Sequence, residues 1–124
     1  MITKHPLISV VDDDLSVRES LPDLLKELGF AAQVFSSAEE FLASDTLTKT
    51  QCLILDIAMP GMSGPELHRE LQRRGIKIPV IFITGHGDEA VRLRLREGSA
   101  VECLLKPFSD MSLLEALNKA LPDR

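Results

Sequence analysis

The chain has 124 residues, 44% hydrophobic and 27% charged, with a formal net charge of -5. That is the size and balance of one globular domain able to bury a core, and the negative charge disfavours nucleic-acid binding by this chain, since phosphate contacts need clustered Lys and Arg. No apolar run approaches the ~20 residues that cross a bilayer, and Met1 to Pro6 is short and polar, without the apolar core of a signal peptide.

The first predicted element is a buried strand over Leu7 to Val11, apolar except for Ser9, which delivers Asp12, Asp13 and Asp14 at its tip. A helix follows over Leu15 to Leu28, with Val17, Leu21, Leu24, Leu25 and Leu28 at the spacing of one face. Its N-cap is either Asp14 or Ser16, the latter with Glu19 in a capping box, and Gly29 closes it in a left-handed cap. Pro22 inside the helix removes a hydrogen bond and predicts a kink. Ala31 to Phe35 reads as a second strand. Ser36 and Ser37, three residues before Glu39 and Glu40, open a helix to about Ala43, and Ser44 to Gln51 is a polar loop.

Cys52 to Asp56 is the central strand, an apolar run ending in a carboxylate, with the Pro60-Gly61 turn beyond it. Ser63-Gly64-Pro65-Glu66 is a capping box with proline in the first turn, opening a helix to Arg74 that Gly75 stops. Ile78 to Ile83 is a fourth strand, ending in Thr84. Val91 to Arg96 alternates with period two, but it lies between strands and precedes Gly98, so Asp88 to Glu97 is read as a helix. Val101 to Leu105 is the fifth strand and ends at Lys106-Pro107. Leu113, Leu114, Leu117 and Leu121 mark a last amphipathic helix capped by Ser109 or Asp110. With five Phe and no Trp or Tyr, the core is aliphatic. Cys52 and Cys103 fall in separate apolar runs, and are expected as buried thiols outside any disulfide in a cytosolic protein.

Five alternations of strand and helix predict an α/β fold: a doubly wound parallel sheet covered on both faces, with no linker to a second domain. Parallel strands put their C-terminal tips together, and ligands bind at that edge. The tips bring Asp12, Asp13, Asp56, Thr84 and Lys106 to one place. Taken singly, acids cap helices and a lysine points into solvent; together they describe a site. Two like charges ~4 Å apart repel by ~4 kcal/mol at an effective dielectric of 20, so clustered carboxylates ask for a cation. Hard oxygen donors with room for water suit Mg²⁺, and the added ammonium and hydroxyl suit phosphoryl transfer.

Val-Val-Asp12-Asp13-Asp14, Asp56-x-x-Met59-Pro60-x-x-x-Gly64, Ile83-Thr84 and Lys106-Pro107-Phe108 resemble the receiver domain of two-component response regulators. The likeness covers essentially all of residues 1–124 as one receiver domain, and Thr84-Gly85-His86-Gly87-Asp88 is similar to receivers of the nitrogen-fixation regulator subgroup. It implies a flavodoxin-like five-stranded parallel sheet in the order 2-1-3-4-5 with five helices. It implies that Asp56 accepts a phosphoryl group from a sensor histidine kinase, that Asp13, Asp56 and the backbone carbonyl of Ala58 bind Mg²⁺, and that Asp12 acts through a metal-bound water. Lys106 would contact the phosphoryl group, Thr84 would report its arrival, and the Lys106-Pro107 bond would be cis.

The resemblance further implies a cytoplasmic, non-enzymatic switch acting on an output domain or partner, for transcription, with homodimerisation on phosphorylation. Its partner surface would be the helix from Asp88, the fifth strand and the last helix; Arg92 and Arg96 share a face of that first helix, with Arg94 elsewhere. The family's aromatic switch residue, three before the lysine, is replaced by Cys103. That departure sustains an alternative: an interaction module of receiver fold with atypical or lost switching. Ala58 and His86 occupy the positions that tune aspartyl-phosphate lifetime, while His5, His68 and His86 are otherwise read as surface residues. A phosphohydrolase of the haloacid dehalogenase type would need a second acid where Ala58 stands.

Overall fold

The computed structural model describes residues 5–85 and 102–121. Five strands, β1 (Leu7–Val11), β2 (Ala31–Phe35), β3 (Cys52–Asp56), β4 (Val80–Thr84) and β5 (Glu102–Leu105), form one sheet in the order β2-β1-β3-β4-β5. Every pairing is parallel. Among the described residues there are four α-helices, α1 (Leu15–Glu27), α2 (Ala38–Leu42), α3 (Gly64–Arg73) and α4 (Asp110–Ala120). The helix expected from Asp88 to Glu97, with Arg92, Arg94 and Arg96, lies outside the described residues, as do His86 and Val101. No helix among the described residues is long and apolar enough to cross a membrane.

The sheet is two-sided because successive strand residues point to opposite faces. Leu53 and Leu55 of β3 pack with Phe41, Leu67 and Leu71 from α2 and α3, whereas Cys52 and Ile54 pack with Leu25, Leu113 and Leu117 from α1 and α4. All of β3 is buried, as a strand covered on both faces must be. The same alternation puts Cys52 and Cys103 in different core clusters, where both are buried and no disulfide joins them.

Helix starts follow the local chemistry. Asp14, not Ser16, caps α1, accepting the Ser16 N–H at 2.9 Å. Ser37 caps α2, Ser63 and Glu66 close the expected capping box on α3, and Ser109 caps α4. α1 runs unbroken across Pro22. Three features differ from expectation. β4 begins at Val80, because Pro79 has no N–H to donate, although its carbonyl still accepts from Leu53 at 2.9 Å. The polar segment before β3 holds a 3-10 turn, Asp45–Lys49, that buries Leu47. Thr50 closes that turn, donating to the Thr46 carbonyl and hydrogen-bonding Ser9 across 2.6 Å. His68, expected at the surface, is half-buried and sets its ring edge against Phe82 with centroids 5.6 Å apart.

Truncating the centre of the sheet tests this packing. Ile54→Ala should lower unfolding free energy by ~2–5 kcal/mol in urea with an unchanged slope. Leu15→Ala, at a side chain 59% exposed, should shift it by no more than ~0.5 kcal/mol.

Candidate functional site

Strand register assembles the site. Val11 pairs with Leu55, so Asp12 leaves β1 beside Asp56 at the end of β3. Asp56 pairs with Ile83, which sets Thr84 one position further along β4. Thr84 pairs with Leu105, and Lys106 follows. From there Lys106 reaches back over β4 and β3. Its ammonium donates to Asp12 Oδ2 at 2.9 Å and stands 3.5 Å from Asp56 Oδ1. Asp12, Asp13 and Asp56 each offer an oxygen within 4.8 Å of the others. The structure thus brings together the three acids and the lysine expected from the sequence. Thr84 is buried at the adjoining tip, with its hydroxyl donating to the Gly85 carbonyl at 3.2 Å.

Burial makes this grouping electrostatically tense. Asp12 is fully buried and Asp56 nearly so. Burial, then the neighbouring Asp12 charge, push the Asp56 carboxyl up from 3.8 to about 7; Lys106 opposes them and Asp13 adds to them. For Lys106, burial disfavours the ammonium, but Asp12 and Asp56 outweigh it and raise its pKa. One ammonium therefore contacts two of the three carboxylates. The donor set, all hard oxygen with one acid open to solvent, fits a divalent cation such as Mg²⁺ better than a soft metal.

Not every acid of the first loop takes part. Asp14 is occupied as the α1 cap, where the Ser16 hydroxyl and N–H hold its carboxyl below the usual range. Asp12 has both oxygens engaged, Oδ1 by the Asp14 N–H at 2.9 Å and Oδ2 by Lys106. The loop after β3 is pinned at both ends. Ile57 N–H donates to the Ile83 carbonyl at 3.1 Å and Gly64 N–H to the Ile57 carbonyl at 3.0 Å. A Cβ at position 64 would stand 2.2 Å from the Asp56 carbonyl, so only glycine lets α3 start this close to the acid. Ala58 is exposed in this loop, and the Lys106-Pro107 bond is cis.

Two contributing residues were given no role at the site by the sequence. Arg18 donates from Nη1 to the Asp12 carbonyl at 2.9 Å. Glu39 Oε2 accepts the Met62 N–H at 3.1 Å and braces the outer turn of the Ala58 loop, where Gly61 adopts φ +74°. A signal existed for Arg18: a cation in the first turns of a helix opposes the macrodipole and calls for a reason. For Glu39 the signal was weak, since Glu39 and Glu40 both looked like capping partners, and only Glu40 serves the Ser36–Ser37 cap. Cys103 is buried in the cluster that contains Phe82 and Leu71. His5 is exposed, 3.4 Å from the Gly29 carbonyl. Burial, aided by Arg69, lowers the pKa of His68.

Comparison with known proteins gives the following. Residues 8–118 match the model of the response regulator receiver domain. Nodulation protein W of Bradyrhizobium diazoefficiens is 46% identical over 111 residues, covering 90% of this chain and 49% of that protein. Response regulator protein TodT of Pseudomonas putida is 40% identical over 121 residues, covering 98% of this chain and 53% of that protein. The crystal structure of FixJ-N superposes with a TM-score of 0.86 at 38% identity, covering 98% of each chain. The chain spans about half the length of the curated relatives it matches.

The raised Asp56 pKa has a consequence for stability without metal. Unfolded, Asp56 ionises near 3.8; folded, near 7. Between those values the folded state holds a proton that the unfolded state has lost, so stability falls as pH rises through this window. The favourable contribution is complete below 3.8 and gone above about 7. Asp56→Asn should remove this dependence and stabilise the metal-free protein at pH 8 by on the order of 1–4 kcal/mol, at ~1.4 kcal/mol per pH unit. Urea unfolding in a chelator at pH 5 and pH 8 checks it; equal slopes of stability against pH for both proteins would contradict it.

Proposed function

The chain belongs to the response regulator receiver domain family, and on that premise we propose that it is the phosphoacceptor switch of a two-component system, with Asp56 as the modified residue. The observation that carries the reading is the contact of Lys106 with both Asp12 and Asp56, 2.9 and 3.5 Å away, beside the exposed carboxylate of Asp13. An Asp56 oxygen attacks phosphorus in line, the new O–P bond forms as the P–N bond to a kinase histidine breaks, and the electron pair leaves with the imidazole. Lys106 stays against the incoming phosphoryl oxygens, exchanging part of its contact with Asp12 for them. Thr84, at the neighbouring tip, moves towards the new group and passes the change to the adjoining surface.

Asp13, Asp56 and the Ala58 carbonyl would hold Mg²⁺, with Asp12 acting through water because both its oxygens are engaged. Bound there, Mg²⁺ keeps Asp56 ionised and neutralises charge on the transferred group. The partner is a sensor histidine kinase. Beside Lys106 a groove of about 590 Å³, lined by Val17, Leu21, Leu24, Pro107 and Phe108, offers it an apolar foothold.

The product is a signalling state rather than a released compound, so the protein is not an enzyme beyond self-phosphorylation and self-dephosphorylation. We place it in the cytoplasm, acting on an output domain or effector that controls transcription, with homodimerisation on phosphorylation and no DNA contact by this chain. The buried thiol of Cys103 favours a second reading, an interaction module that keeps the fold and has an altered switch.

Acetyl phosphate with Mg²⁺ should add one phosphoryl group, read by intact mass, and Asp56→Asn should abolish the gain. No uptake by the wild type would overturn the phosphoacceptor reading and leave the interaction module.

A further inference from the structure

Of the three acids, Asp13 is the one that, among the described residues, only the backbone holds in place. Asp12 is held by the Asp14 N–H and by Lys106, and Asp56 lies against Lys106. Among the described residues, none hydrogen-bonds the Asp13 carboxylate, which is exposed. The direction of its Cα–Cβ bond is therefore set by the two peptide planes that flank it, which leaves only the side-chain torsions for a bound cation to fix. The plane after Asp13 is held through the Asp14 N–H, which donates to Asp12 Oδ1 at 2.9 Å. The plane before it is held through the Asp12 carbonyl, which accepts from Arg18 Nη1 at 2.9 Å.

Arg18 is an odd residue to find there. It lies in the opening turns of α1, where the helix dipole disfavours a cation. Its side chain is half-buried and turned back towards the helix start, the direction in which helical side chains lean. A residue that opposes the local preference is expected where function compensates for it. A guanidinium on a carbonyl is also a charge-assisted hydrogen bond, stronger than a neutral donor would make.

We propose that Arg18 is a positioning residue of the acidic site: by gripping the Asp12–Asp13 peptide it presents the Asp13 carboxylate to a divalent cation shared with Asp56. The inference rests on the phosphoacceptor reading for the identity of that cation. Mg²⁺ tolerates little departure from octahedral geometry, so a carboxylate left to swing on a loose peptide must be ordered as the cation binds, and that ordering weakens affinity. Arg18 does the ordering beforehand.

The sign of the effect separates this role from simple charge. Removing a cation near a divalent-ion site would tighten Mg²⁺ binding if electrostatics alone mattered; losing a positioning contact weakens it. The test is calorimetric titration of Mg²⁺ into the wild type, Arg18→Met and Arg18→Lys, with metal-free melting temperatures measured alongside. Met keeps the apolar stem that packs and has no donor; Lys restores a donor and the charge. Expected is about a tenfold weaker Mg²⁺ affinity for Arg18→Met, the usual loss when a residue supporting a metal ligand is removed, with Arg18→Lys between the two. Unchanged or tighter binding by Arg18→Met overturns the proposal, as does a lowered metal-free melting temperature with unchanged affinity. Failure of the wild type itself to bind Mg²⁺ overturns the cation reading on which the proposal stands, a result distinct from an unresponsive variant.

Discussion

Two buried carboxylates share one ammonium, and much of the molecule is arranged around that shortage. Asp12 and Asp56 leave adjacent strands at the same level because β1 and β3 run parallel in fixed register. Burial denies them water, and like charges at such separations repel by ~4 kcal/mol at an effective dielectric of 20. Lys106 meets both acids, and still the Asp56 carboxyl is pushed up to about 7. A site in this condition has a standing affinity for positive charge. A cation that neutralises the neighbouring acids also favours the ionised form of Asp56.

Holding such a site together takes more than the acids. The sheet supplies the register, and the covering helices exclude water from the strands up to their tips. Loops then fix what the strands cannot. Gly64 lets α3 begin against the Asp56 carbonyl, Glu39 braces the outer turn of the Ala58 loop, and Arg18 grips the Asp12 carbonyl. These contacts come from elements that carry none of the acids of the site, which spreads its geometry over the fold.

The sequence displayed the sheet and the acids clearly because both follow short-range rules. β3 reads as a strand from five residues, and its final Asp56 announces itself by ending an apolar run. Capping boxes are equally local, and the one at Ser63 and Glu66 formed as written. What escaped depends on distance in three dimensions. Leu47 is a lone apolar residue in a polar stretch, and only the core cluster it joins explains its burial. Glu39 looks like an ordinary capping charge until the loop it touches is folded, and the position of Arg18 against the helix dipole calls for a partner without naming it. His68 looked exposed because nothing in its neighbours reveals that Phe82 lies under it. The choice between Asp14 and Ser16 as cap was open for a related reason: both satisfy the pattern, and the geometry of the loop leaving β1 selects Asp14.

The claim at the centre is that, without metal, Asp56 keeps a proton near neutral pH and surrenders it when a cation arrives. Proton release on Mg²⁺ binding measures this directly, through calorimetry at pH 7 in buffers of different ionisation enthalpy. A substantial fraction of a proton should be released at pH 7, shrinking towards zero by pH 9 and absent in Asp56→Asn. Mg²⁺ binding with no proton released at pH 7 would contradict it, because Asp56 would then be ionised already despite its burial and the Asp12 charge beside it.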